Sequence, residues 1–217
     1  MSEDIESFSK RVSRLGYELA GVMDRMKKQL KLQHNEVTEK ALRSMVRAQG
    51  EILKAYFWLD ARERSYTVPP DAQESWEHFV AKNEMICRLE PQSVVAECSY
   101  GEMRFDAIAK VKEEYVVVEA ETKSRACIKK FERIRRTINA LVSGGEDALD
   151  KDCTPVLAEI QKLLRDGKPL RVVFALTKSP NEIIVKTLLQ AGNSQLIPEL
   201  YYVNPIPDQL TVSPINI

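Results

Sequence analysis

The sequence predicts an α/β protein: one mixed sheet covered by helices, preceded by a helical hairpin. Three observations predict it. Apolar residues recur in steps of three and four over residues 3–33, the period of a helix. Beyond residue 90 the period changes, and short β-branched runs alternate with turns and amphipathic helical stretches. A two-proline break, "TVPPD" at 67–71, separates the two regimes.

Ile5, Phe8, Val12, Leu15, Leu19, Val22 and Met26 form a heptad-spaced seam, with charged residues filling the positions between. A second helical stretch over about 36–65 carries Val37, Leu42, Met45, Ile52, Leu53, Tyr56 and Phe57. The two stretches read equally as an intrachain hairpin and as a coiled-coil-like element that makes a homodimer. Residues 1–66 are therefore expected to form a helical region and 67–217 the α/β domain. Asp71 is the candidate N-cap of a helix over 71–88, with Trp76, Phe79, Val80, Ile86 and Leu89 as its apolar stripe and Pro91 closing the segment. Strands are expected at 93–100, 103–111 and 114–123, the last two joined by a tight turn at Lys112-Glu113. Residues 125–143 read as a helix stopped by Gly144-Gly145, and 155–165 as a shorter one. The nearly unbroken apolar run at 169–178 suits a buried strand. A helix over 180–192, capped by Ser179 or Asn181, and a last strand at 199–205 follow. The proline-rich tail beyond is expected to be irregular.

Composition excludes several classes of function. Lys+Arg and Asp+Glu each number 32 in 217 residues, so the chain is no polycation, although a local basic face is still allowed. Cys87, Cys98, Cys127 and Cys153 form no C-x-x-C, and His34 and His78 lie near no cysteine pair, so neither a structural zinc site nor histidine-based catalysis is supported. The acidic start "MSEDIESFSK" has no signal-peptide core, and no apolar run reaches the length of a membrane span. A soluble cytoplasmic protein with free thiols and no membrane partner is expected. Gly144-Gly145 follows a helix instead of opening one after a strand, so it is no phosphate loop. Neither G-x-S-x-G nor H-E-x-x-H occurs.

The chemistry concentrates in "VVVEAETK" at 116–123. Side chains alternate across a strand, so Val117, Glu119, Glu121 and Lys123 share one face and Val116, Val118, Ala120 and Thr122 the other. On the preceding strand Asp106, Ile108 and Lys110 share a face. A two-residue turn at Lys112-Glu113 sets Val111 opposite Glu114 and Asp106 opposite Glu119; a four-residue turn sets Asp106 opposite Glu121. Either register places like charges across from one another, which destabilises a hairpin. A hard divalent cation, Mg²⁺ or Mn²⁺, would offset the repulsion. So would Lys110 and Lys123 on an ordinary solvated sheet face.

An acid on the second strand, and an acid-x-Lys on the third, within an α-β-β-β-α-β order, resembles the PD-(D/E)xK nuclease superfamily. That group includes many restriction endonucleases and the archaeal Holliday junction resolvases. The likeness spans residues 71–178 or so. It implies a restriction-endonuclease-like core and a Mg²⁺- or Mn²⁺-dependent endonuclease acting on nucleic acid, DNA ahead of RNA. Asp106 takes the place of the motif's aspartate, with Phe105 where the proline stands. Glu119-Ala120-Glu121 fills the second half with a glutamate in the lysine place; Glu121-Thr122-Lys123 keeps the lysine and lengthens the hairpin loop. The resemblance makes Asp106, Glu119 and Glu121 the metal ligands, and Lys123 the group that orients water or stabilises phosphate charge. Family members often add a glutamate from the first helix; Glu77 is the candidate, with Glu74 and Glu84 as alternatives. The glutamate in the lysine place supports a second expectation, a nuclease-fold protein without catalysis that binds nucleic acid or a protein partner.

Just after these acids the sequence turns basic. Lys129, Arg133 and Arg136 form a stripe opposite Ile128, Phe131, Ile134, Ile138 and Leu141, and Arg125 and Lys130 add to it. A phosphate backbone suits such a local excess, and so does plain solvent. Cutting two strands needs two sites, which a homodimer through the heptads would provide.

Overall fold

The computed structural model describes residues 36–63, 74–101, 103–144, 153–205 and 210–215, together with part of 12–28. The chain divides into two compact units, Met1–Val80 and Ala81–Ile217. The expected boundary at 66/67, with "TVPPD" and Asp71, lies outside the described residues.

In the first unit the described positions of 12–28 are helical, as the heptads predict. Val12, Leu19, Val22 and Met26 of the seam are half-buried and Leu15 is 54% exposed, whereas Met23, off the seam, is buried. Ile5, Phe8 and the side chains of Leu53, Tyr56 and Phe57 lie outside the described residues. Helix α1 spans Glu36–Glu63 and carries the i,i+4 pairs Glu36–Lys40 and Glu39–Arg43. Helix α2, Trp76–Leu89, runs across the boundary between the units. Its cap is Ser75, whose Oγ accepts the His78 N–H at 3.3 Å, so the helix starts later than expected. Phe79, Val80 and Ile86 of the expected stripe are buried, and Met85 joins them.

The second unit is built on a six-stranded sheet in the order β1-β2-β3-β4-β5-β6. Strands β1 (Ser93–Tyr100), β2 (Met103–Val111) and β3 (Glu114–Glu121) form an antiparallel meander. The β2–β3 turn is the predicted two-residue one: Val111 pairs with Glu114, and Lys112 takes a φ of +56°. Helices α3 (Ala126–Val142) and α4 (Thr154–Arg165) then carry the chain to β4 (Leu170–Leu176), which lies parallel to β3. Gly144, at a φ of +81°, closes α3, and its N–H reaches Leu141 O at 3.2 Å. Asn181 Oδ1 accepts the Ile184 N–H at 2.9 Å and caps α5, Glu182–Ala191. Strand β5 (Leu196–Asn204) is parallel to β4, and β6 (Thr211–Pro214) pairs antiparallel with it. The mixed α/β architecture and its element order are therefore as predicted. Two details differ. Strand β5 starts three residues early and passes through Pro198, which is tolerated because β6 covers only Tyr201–Asn204 and leaves that edge open. The tail expected to be irregular supplies β6.

Helices α3 and α4 cover one face of the sheet. Phe131, Ile134, Ile138 and Leu141 of α3 and Leu157, Ile160 and Leu164 of α4 pack with Val117, Val172, Phe174 and Leu176. Phe131 meets Phe174 edge to face at 6.4 Å. On the opposite face Val116, Val118, Ala120, Val173 and Ala175 are buried as well, which accounts for the unbroken apolar runs of the two central strands.

Candidate active site

The site begins where two strands part. Pairing of β2 with β3 runs from Val111–Glu114 to Ala107–Val118 and stops. One step further in the same register sets Asp106 opposite Glu119, as the two-residue turn predicts. Strand β3 stays with β4 as far as Glu121–Leu176, so it leaves β2 at this level. The Asp106 carboxylate enters the opening, and its Oδ2 accepts the Ala120 N–H at 2.8 Å. Strand β1 is disturbed at the same level. Glu97, between the pairs Ala96–Ala107 and Cys98–Phe105, has a φ of +54°, an unfavourable backbone for any residue with a Cβ. Lys82, wholly buried, holds one Glu97 oxygen at 3.3 Å and Arg104 the other at 2.8 Å. Phe105 and Ile108, three apart, both join the helix-covered core, so the alternation of β2 slips across Asp106.

Helix α3 completes the cluster. Lys130 Nζ lies 2.5 Å from Glu119 Oε2, 3.2 Å from Asp106 Oδ2 and 3.4 Å from Glu121 Oε1. Lys130 sits three residues after buried Cys127 and four before buried Ile134, on the inward edge of the helix. Three carboxylates thus share one ammonium. Glu119 is fully buried; its Oε2 meets the Lys130 ammonium, and its Oε1 has no hydrogen-bond donor among the described residues. Burial pushes the Glu119 carboxyl well above the usual range; Lys130 pulls it down and Asp106 pushes it further up. For Lys130 burial alone would lower the ammonium's pKa, but the attraction of Glu119, Asp106 and Glu121 outweighs it and raises the value. Burial, with Glu121 adding to it, pushes the neighbouring Cys127 thiol up to about 12, so it is no nucleophile at neutral pH.

This arrangement corrects the expected source of the offsetting charge. Lys130 sits among the three acids, whereas Lys110 turns to Glu159 at 3.0 Å and to the Tyr115 ring. Lys123 is not on the shared face. Strand β4 ends at Leu176, so β3 has no partner beyond Glu121 and ends there. Lys123 lies in the turn into α3, its carbonyl accepting the Ala126 N–H at 2.9 Å and its side chain exposed. Lys130, read from the sequence as a phosphate contact, occupies the cluster instead. Its helical spacing from Cys127 and Ile134 puts it on the border of the apolar stripe, which allows an inward side chain without requiring one. Glu77 stands in the first turn of α2, in the unit that ends at Val80, whereas the cluster consists of second-unit residues. Glu74 pairs with His78 at 2.5 Å, and Glu84 is half-buried. Arg125, Lys129, Arg133 and Arg136 are exposed on and just before α3, facing away from its buried stripe.

Among the described residues no group of three or more His, Cys, Asp or Glu side chains is arranged as a ready metal-ligand set. The point on which Asp106, Glu119 and Glu121 converge is held by the Lys130 ammonium. All four cysteines are free, and no helix among the described residues is long and apolar enough to cross a membrane.

No family model matches the sequence, and no curated protein matches it either. Among solved structures, SfsA of Pyrococcus furiosus, determined in complex with Ca²⁺, is similar at 16% identity and a TM-score of 0.29. The similarity covers 64% of this chain and 59% of SfsA. A TM-score of that size does not establish a shared fold.

Proposed function

We propose that the second unit hydrolyses phosphodiester bonds of nucleic acid, DNA ahead of RNA, at the Asp106–Glu119–Glu121–Lys130 cluster and with a divalent cation. The observation that carries this reading is the fully buried Glu119 carboxylate, whose Oε1 lacks a donor among the described residues and whose Oε2 meets only the Lys130 ammonium, at the point where two further carboxylates converge. Leaving a buried acceptor unsatisfied costs about 1–3 kcal/mol, more for a charged group. A cation beyond the single ammonium relieves that cost. The donors are all carboxylate oxygens, the ligands that Mg²⁺ and Mn²⁺ take, so Asp106, Glu119 and Glu121 would hold the ion. A bound ion supplies polarisation of the phosphate and a water of lowered pKa.

The remaining work falls to the chain itself. Asp106 is fixed by the Ala120 N–H and keeps its carboxylate directed into the opening between β2 and β3. Lys130 takes the role that the motif gives to Lys123: it stays protonated and offsets negative charge growing on the phosphate oxygens. Arg125, Lys129, Arg133 and Arg136 hold the flanking phosphates and set register without reading sequence. The test is nicking of supercoiled plasmid, single-stranded DNA and RNA with Mg²⁺ or Mn²⁺, wild type beside Asp106→Ala. Ion-dependent cleavage lost in the variant is expected; no cleavage of any form sinks the reading.

A second reading rests on Lys130 as well. An ammonium already seated among the acids suits a fold that binds nucleic acid without cutting it. Retained binding with no cleavage under either ion selects that reading.

A further inference from the structure

Lys130 and a divalent cation cannot occupy the same point. The ammonium stands within 3.4 Å of an oxygen from each of Asp106, Glu119 and Glu121. Even so, the three acids outnumber it. The charge of the cluster is therefore offset only in part, and at Glu119 the ammonium meets Oε2 and leaves Oε1 without a donor among the described residues. Lys130 reaches in from α3, whereas all three acids project from the sheet, so the ammonium can withdraw along its own side chain while the acids keep their places. Its side chain is 18% exposed, so it is not sealed from solvent.

We infer that Lys130 is a tethered counter-ion: it holds Asp106, Glu119 and Glu121 together in the ion-free chain and swings out to let a divalent cation take its place. This rests on the reading of the cluster as a cation site, and it assigns Lys130 a part before any phosphate arrives. In the ion-free state the ammonium prevents the three acids from splaying apart. In the ion-bound state the same group, displaced toward solvent, stands beside the site where a phosphate would enter.

The test is Mn²⁺ affinity of the full-length chain, read from the electron paramagnetic resonance signal of the free ion. Removing the competing charge in Lys130→Met should tighten binding by about tenfold or more, whereas Lys130→Arg should stay near wild type. Equal or weaker binding by the Met variant overturns the inference. A second measurement uses the unmodified chain and does not depend on that variant folding. Reductive methylation of Lys130, followed by mass spectrometry, should rise as Mn²⁺ is added, and labelling that is unchanged at millimolar Mn²⁺ overturns the inference. Tighter binding by the Met variant in a protein that cleaves nothing would uphold the counter-ion and dismiss the hydrolase, so the two failures are distinguishable.

Discussion

Burying the Glu119 carboxylate opposes folding, and the pH dependence of stability should show it. Its carboxyl has a raised pKa in the folded chain because of burial, and an ordinary one near 4.3 when unfolded. Between those two values the folded state binds the extra proton, so stability falls as pH rises through that window and is regained on acidification. Lys130 works in the other direction and elsewhere. Its raised pKa contributes stability that is fully present below its ordinary value near 10.4 and is lost only as pH rises through the folded value. Between the unfolded and the folded values of Glu119, that carboxyl therefore dominates. We expect Glu119→Gln to flatten the wild-type decline in thermal stability over that range, and to stabilise the chain by about 1 kcal/mol at the alkaline end. Parallel slopes for the two proteins would remove Glu119 as the cause. At this scale the acids were legible and the lysine was not. Strand alternation and a two-residue turn suffice to bring Asp106 to Glu119. Lys130 borders both the apolar and the basic stripe of its helix, and only the packing of α3 on the sheet decides which side it joins.

Among the elements, β4 and β5 are tied by a two-pronged ion pair. Arg171 Nε and Nη2 donate to Glu199 Oε1 and Oε2 at 2.6 and 2.9 Å, and the Tyr201 hydroxyl donates to the same carboxylate. Both partners are about three-quarters buried, so the pair is shielded from solvent more than a surface bridge. Arg171→Met should cost about 1–2 kcal/mol in urea unfolding, and a cost near zero would show that the pair only decorates the edge. Helix α3 makes a separate prediction. Replacing Lys129, Arg133 and Arg136 by Ala should weaken binding to nucleic acid of any sequence and lower the salt slope by about one per residue removed. Fluorescence anisotropy over a salt series measures it, and an unaltered slope would return the stripe to plain solvated surface. The helices and central strands were readable because their periods differ. The end of β3 was not, since it is set by where β4 stops and not by its own residues. Strand β6 is too short to announce itself, and Pro198 speaks against β5 until the open edge beside it is seen.

For the whole molecule, a hydrolase that cuts both strands of a duplex would need two copies of the proposed site. The seam of the N-terminal helix offers an answer through pairing of two copies. Leu15 on that seam is 54% exposed, and on α1 Val37 is 75% and Val46 49% exposed, all apolar residues with surface to bury. Light scattering of the full-length chain should then give twice the monomer mass, and Leu15→Glu should halve it. An unchanged mass in the variant would assign the seam to intrachain packing. The proposal as a whole stands or falls on the β2–β3 opening. The most direct measurement is single-turnover cleavage of labelled DNA in Mn²⁺ by wild type and Glu119→Gln side by side, because the variant should fold at least as well as its parent. The account predicts cleavage by the wild type and none by the variant. Equal cleavage by both, or none by either, would contradict it.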